Sequence, residues 1–402
     1  MLVNPALIYA YIWLLALFLY TRYWSEIFLP LSNATLAYIL SSIVVVGLAW
    51  AVMTIIFIYH KLAPIKKNEN LIKFSLGVKK KILFLTYVWC IFSIVELLYH
   101  RDLPILAVFG IGSMTYHTYG IPSLHGLLNA IILALSMYSL YFLIETKNKK
   151  YFFIYILTIV PFILTMSRGG MTSLLLQSLF VLLLFKRVKI SSIVKFVVLF
   201  FIFIFIFGFL GEIRNINTDA DIYQVFQMSS DYPDFLPRGF TWIYMYLSTP
   251  INNIENIFLL YDNWNFEPYI VLFRMLPTFV RDILPIPNSI VLVNNAFNVS
   301  SFMPKYLAAF GVYGSLVFYF ISALVPLYFY QKFIRTREIK YGFILVVFLH
   351  SIVLSVFSGF FLIQTYIFEI LLQYFIFNKI VVRVRKNKLR DNDNFYKKDA
   401  HV

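Results

Sequence analysis

Ser167-Arg168-Gly169-Gly170 lies between two apolar runs, with Met166 ending one and Met171 beginning the next. The arginine is therefore held at a membrane boundary. Glycines permit positive φ and let a ligand approach the backbone closely. The free N–H groups that open the following run add a partial positive charge that favours anions. An anion of the phosphate kind fits this set; an arginine snorkelling to lipid phosphates beside a tight turn fits it equally. The polar stretch 211–305 holds four further arginines, of which Arg238, Arg274 and Arg281 are candidates. A guanidinium fork grips phosphate or carboxylate in bidentate fashion; for any one of these arginines a salt bridge to a neighbour such as Asp282 or Glu267 is the alternative. His117 and His125 lie in loop 101–123 or at its end, where a histidine can act as a general base or phosphate ligand. Glu96 and Glu369 sit inside apolar runs, where a carboxylate needs a partner. The expected partners are His100, four residues after Glu96, and His350, at the depth of Glu369.

The elements that position these groups are membrane helices. Of the 402 residues 61% are hydrophobic and 13% charged, with a mean hydropathy of +0.79, whereas a soluble domain carries about a quarter charged residues. Apolar runs of 17 or more residues each span roughly 30 Å of hydrocarbon. Strands would have to close into a barrel, and no dyad alternation supports one. The fold class is an all-α polytopic membrane protein of about ten spans: 5–21, 34–59, 82–100, 124–144, 151–166, 171–185, 191–210, 306–331, 341–357 and 360–378. The first is expected to be a retained helix, since it has neither a basic n-region nor an A-x-A cleavage site. The single cysteine, Cys90, lies in an apolar run and excludes a disulfide.

The segments between spans alternate in charge. Residues 60–81, 145–150, 186–190 with Lys195, 332–340 and the tail from Lys379 hold 26 Lys+Arg against six acids. Residues 22–33, 101–123, 167–170, 211–305 and 358–359 hold eight against eleven. The positive-inside rule places both termini in the cytoplasm and the long loop outside. This distribution argues against nucleic acid as the reason for the net charge of +15. The tail 379–402 reads as a basic cytoplasmic end facing solvent or headgroups. The cytoplasmic set carries 20 Lys and 6 Arg, the external set 1 Lys and 7 Arg. Topology accepts either residue, so the external choice of arginine points to an anion of the phosphate kind bound there; drift together with lipid-headgroup contact is the alternative.

The chain is one integral membrane domain, 1–402, and 211–305 is its large external loop, with nine of the nineteen acids. Phe240, Ile243, Tyr244, Leu247, Ile251, Ile254 and Phe258 follow helical spacing, with Asn252, Asn253, Glu255 and Asn256 on other faces. This predicts an amphipathic helix at the interface, interrupted at Pro250. Tyr244 is a candidate sugar contact, because aromatic faces stack on sugar rings; an aromatic interface belt is the plainer reading of such residues. Arg274 and Arg281 stand two turns apart, about 10 Å, with Pro277 expected to kink or break the helix between them. No P-loop, Gly-x-Gly-x-x-Gly, His-Glu-x-x-His or Asp-x-Asp pattern is present, so no nucleotide, metal or other cofactor is expected.

Three segments carry a resemblance. Met166-Ser167-Arg168-Gly169-Gly170-Met171-Thr172-Ser173-Leu174-Leu175 resembles the arginine-containing turn of bacterial oligosaccharide repeat-unit polymerases, the Wzy-type O-antigen polymerases. Arg238 followed by Tyr246-Leu247-Ser248-Thr249-Pro250-Ile251 resembles part of their large periplasmic loop, and Lys305 to Gly314 resembles the stretch that re-enters the membrane. Where that family often has an acid before the last Phe-Gly, this chain has Ala309. The resemblance implies a fold similar to the lipid-dependent (C-type) membrane glycosyltransferases, in the bacterial inner membrane. It implies joining of undecaprenyl-pyrophosphate-linked oligosaccharide repeat units on the periplasmic face, a chain-length regulator as possible partner, and no metal. Arg168 with Gly169 and Gly170, Arg238, Arg274 and Arg281 would hold the pyrophosphate. His117 or His125, or a loop carboxylate, would take the proton of the acceptor hydroxyl. An O-antigen ligase is the close alternative; a lipid-linked-oligosaccharide flippase coupled through Glu96, Glu369 and His350 is the distant one.

Overall fold

The structure, a computed structural model, describes residues 3–59, 76–115, 118–186, 205, 208, 221–260, 266–287, 292–293, 300–357 and 363–377. Among them the secondary structure is helical, with one isolated bridge between Ser25 and Met228. In chain order the helices are α1 Pro5–Tyr20, α2 Asn33–Tyr59, α3 Leu76–His100, α4 Pro104–Val108, α5 Leu124–Thr146, α6 Lys149–Leu164, α7 Arg168–Phe185, α8 Ile222–Val225, α9 Arg238–Leu260, α10 Tyr269–Met275, α11 Thr278–Arg281, α12 Phe302–Thr336, α13 Ile339–Val353 and α14 Gln364–Phe377.

Six described helices, α2, α3, α5, α7, α12 and α13 with the turn that follows it, are long and apolar enough to cross a membrane. The expected runs 5–21, 151–166 and 360–378 form the shorter α1, α6 and α14. The run 191–210, apart from residues 205 and 208, and the tail lie outside the described residues.

Local chemistry sets the helix ends. Asn4 accepts the Ala6 N–H at 2.8 Å with Pro5 in the first turn, and Ser301 caps α12 through the Met303 N–H. Such caps satisfy N–H groups that have no partner within the helix. Packing sorts the helices by exposure. The central windows of α5 and α13 are each 78% buried, whereas that of α3 is 11% buried. A helix apolar on every side belongs in the centre of a bundle or against lipid, and the two kinds occur together here. Hydroxyls tie neighbours together: Tyr9 to Ser42 (3.0 Å), Tyr38 to Ser315 (2.8 Å) and Gln331 to Thr54 (3.1 Å). Polar links of this kind matter between helices in lipid, where apolar burial gives little drive for association.

Two expectations on the long loop are corrected. α9 runs unbroken through Pro250. A proline inside a helix costs about 3 kcal/mol; the buried Pro250 and its buried neighbours pack tightly enough to offset that cost and keep α9 one helix. Asn252, Asn253 and Glu255 are not a solvated face but are at most 1% exposed: the α1–α2 link bonds Asn252 and Glu255, and Asn253 accepts the Val293 N–H at 3.2 Å. The expected break at Pro277 is found, between α10 and α11. α12 bends at Gly311, whose φ of 67° suits glycine, and the Ala309 carbonyl accepts the Glu267 N–H at 2.8 Å.

Candidate functional site

α6 and α7 are joined by a single reversal. Met166 takes the left-handed φ of 54°, its N–H bonds the Ile163 carbonyl at 3.0 Å, and the Ser167 N–H bonds the Phe162 carbonyl at 2.9 Å. This is the Schellman closure usually made by glycine. The positive φ thus falls on Met166; Gly169 and Gly170, which would permit it, are helical residues of the first turn of α7. Ser167 caps α7, its Oγ accepting the Gly170 N–H at 3.2 Å. The glycines have separate uses. A Cβ on Gly170 would lie 2.2 Å from Phe162, so that glycine lets the two helices meet. A Cβ on Gly169 would meet nothing within 4 Å.

Arg168 opens α7 and is 8% exposed. Its guanidinium carbon lies 4.7 Å from the Trp242 ring centre and 5.7 Å from that of Tyr246. Both rings belong to α9, so the arginine turn and the long polar segment meet directly. Arg238, Trp242 and Tyr246 recur every four residues and form one stripe on α9. Arg238 therefore stands about 6 Å along the axis from Trp242; its side chain is 58% exposed, 3.7 Å from Asp221. Cation–π attraction of the Arg168 kind is strongest over tryptophan and grows with desolvation. Trp242 is the residue the sequence reading left out. Its signal was the four-residue spacing from Arg238, concealed by the stronger apolar pattern of the next face.

α9 is held over Arg168 by the link between α1 and α2. Asn252 Oδ1 accepts the Leu29 N–H at 2.8 Å, and Glu255 Oε2 accepts the Ser32 N–H and hydroxyl, both at 3.0 Å. The Trp24 N–H donates to the Tyr244 hydroxyl at 2.9 Å, and Ser25 donates to the Phe226 carbonyl at 2.7 Å. Tyr244 is therefore a buried clasp; burial, offset in part by the Trp24 N–H, drives its hydroxyl well above the ordinary phenol range. The structure does not place it as a surface for a sugar.

A second group gathers where α3 ends and α5 begins. Glu96 Oε2 lies 3.1 Å from His125 Nδ1, and Oε1 accepts the Ile121 N–H at 3.0 Å. His100 Nε2 accepts the Gly120 N–H at 3.0 Å. The expected Glu96–His100 pair is thus replaced by Glu96–His125. The two residues of α3 do share a face, and both use it to hold the returning loop. Burial first, and then the Glu96 charge, push the Tyr119 phenol up, so it stays protonated between the two imidazoles. Ser123 Oγ accepts the Thr278 N–H at 2.9 Å, which brings α11 to the same place, and Arg281 Nη2 donates to Thr278 at 2.9 Å. Arg281 is thereby grouped with His125, not with Arg168. Arg274 has a described backbone only, and His117 lies outside the described residues.

The groups of Arg168 and His125 are linked through the start of α14. A Cβ on Gly126 would lie 3.6 Å from Thr365, and the Tyr366 side chain lies beside Ser173 of α7. One turn deeper, Gln177 Nε2 lies 2.9 Å from Glu369 Oε2 and 3.3 Å from His350 Nδ1. Glu369 and His350 do share a depth, but Gln177 joins them.

No family model, curated protein or solved structure matches this chain. Fold and site together define an all-α membrane protein with a buried arginine beneath the aromatic residues of a long inter-helical segment.

Proposed function

We propose that the chain is a membrane glycosyltransferase that joins undecaprenyl-pyrophosphate-linked oligosaccharide repeat units into O-antigen or capsular polysaccharide. The observation that carries this reading is Arg168 at the start of α7, beneath Trp242 and Tyr246 of the long polar segment. Helix N–H groups and a guanidinium at one point suit a phosphate oxygen. The open space at Gly169 leaves room for that oxygen beside the backbone. Arg238, one turn from Trp242 and largely exposed, supplies a second fork on the same stripe. The external excess of arginine over lysine and the three segments similar to repeat-unit polymerases agree with it.

In this reading the growing glycan leaves undecaprenyl pyrophosphate as a hydroxyl of the next lipid-linked unit attacks its anomeric carbon. Charge develops on the leaving phosphate oxygen, and Arg168 stabilises it. A preorganised donor at such a position contributes about 10²–10³ in rate. The test is Arg168→Ala at unchanged protein level in the bacterium. Only single repeat units should remain on the lipopolysaccharide; long chains of normal length from that variant would overturn the assignment. Loss of even the first unit would indicate the ligase reaction instead.

A transporter reading draws on the buried Gln177–Glu369–His350 contacts. It requires that Glu369→Gln abolish polymer through lack of substrate at the far face, and that the purified wild-type protein form no polymer from supplied substrate.

A further inference from the structure

Glu96 is 3% exposed at the end of α3, and each of its carboxylate oxygens has a fixed use. Oε1 holds the Ile121 N–H, and Oε2 faces His125 Nδ1 at 3.1 Å. A carboxylate accepts, so Nδ1 carries a proton, and in the neutral imidazole the lone pair is on Nε2. The ring is fenced on its other sides. Tyr119 meets it edge-on at 5.7 Å between centres. Gly120, at φ +107°, approaches so closely that a Cβ there would lie 2.5 Å from His125 Cγ. The His125 side chain is nevertheless 28% exposed. A buried acid, an oriented imidazole and a face open to solvent make up the arrangement by which a histidine removes a proton from a hydroxyl, the acid fixing the tautomer and stabilising the imidazolium.

We infer that His125 is the general base of the transfer reaction and that Glu96 is its positioning residue. The inference rests on the glycosyltransferase reading. In the step, the acceptor oxygen forms a bond to the anomeric carbon while the bond from that carbon to the phosphate oxygen breaks. The electron pair leaves with undecaprenyl pyrophosphate, and the hydroxyl proton passes to His125 Nε2. Arg168 and His125 then have opposite tasks, one at the leaving oxygen and one at the entering oxygen. They stand at the starts of α7 and α5, on the end of the bundle where Ser123 also receives α11 of the long loop.

The experiment uses the full-length protein in nanodiscs with undecaprenyl-pyrophosphate-linked oligosaccharides extracted from a strain lacking this chain. The wild type should yield a ladder. His125→Ala should lower kcat by about 10²–10⁴-fold with KM little changed, and added imidazole should restore part of the rate. His125→Asn, which keeps a donor toward Glu96, should be as inactive as the alanine variant. Glu96→Gln should lower kcat by at least about tenfold through the wrong tautomer, and imidazole rescue of His125→Ala should be weaker in the Glu96→Gln background. Full turnover by His125→Ala and His125→Asn would overturn the base assignment alone. So would a loss of activity that imidazole does not relieve in either variant. Absence of any product from the wild type would overturn the glycosyltransferase reading itself.

Discussion

The Arg168 guanidinium carbon lies 4.7 Å from the centre of the Trp242 ring, across 74 residues of chain. The ring covers one face of the cation and, in the proposed reaction, leaves the in-plane N–H donors of the guanidinium to the phosphate. Trp242→Phe should keep much of this contact and Trp242→Leu should lose it. A buried contact of this kind contributes about 0.5–2 kcal/mol, so polymerising rate should fall only modestly in the phenylalanine variant and about tenfold or more in the leucine variant. Equal rates from the two variants, each at wild-type level in the membrane, would show that the ring only fills space.

The two glycines of the α6–α7 turn should respond in opposite ways. Gly170→Ala pushes a methyl group into Phe162, and overpacking of this kind costs about 1–3 kcal/mol. Its melting temperature in detergent should drop. Gly169→Ala has open space around the added carbon, so its melting temperature should hold while activity falls if the phosphate uses that space. A stable, fully active Gly169→Ala would place the phosphate elsewhere.

Glu255→Ala should destabilise the protein because the Ser32 N–H loses its acceptor and the Ser32 hydroxyl keeps only Thr35 Oγ1, at 3.3 Å. Unpaired buried donors cost about 1–3 kcal/mol each. Thermal unfolding of the purified variant measures the loss, and limited proteolysis should find the 22–32 link newly cleavable. Glu255→Gln, which keeps one acceptor oxygen, should lie between the two.

Asp102 makes loop 102–115 acid-sensitive. The N–H groups of Met114 and Ser113, and to a lesser degree that of Leu103, hold its carboxyl below the ordinary carboxylate range. A depressed value in the folded state means that the stabilisation is complete above the ordinary aspartate range and is lost as pH falls through the folded value. The loop should therefore keep its form at neutral and mildly acidic pH and loosen only in strong acid. Asp102→Asn should loosen it at neutral pH, which amide exchange at Ser113 and Met114 would reveal.

Much of this was legible in residue types. Long apolar runs announced helices, and Pro277 announced its break. The Arg168 turn and the long segment, read as companions on charge alone, do touch. Other features were hidden for physical reasons. The reversal at Met166 uses a left-handed residue that no propensity assigns to methionine. Asn252 and Glu255 looked like a solvated face because helical period reports polarity, and polarity does not reveal that another segment arrives to bind it. Glu96 was matched with the histidine on its own helix because spacing speaks only of neighbours in sequence. The chosen partner, His125, came from the adjoining helix.

The clasp between residues 24–32 and α9 also imposes an order on assembly. Leu29 and Ser32 bind partners 223 residues later in the chain. During synthesis the link between α1 and α2 emerges without its partners, and it stays bare until more than half the protein has been made. Contacts so distant in sequence form late. The cover over Arg168 is therefore among the last parts to close, and a chain released before residue 255 would carry the arginine turn without its roof.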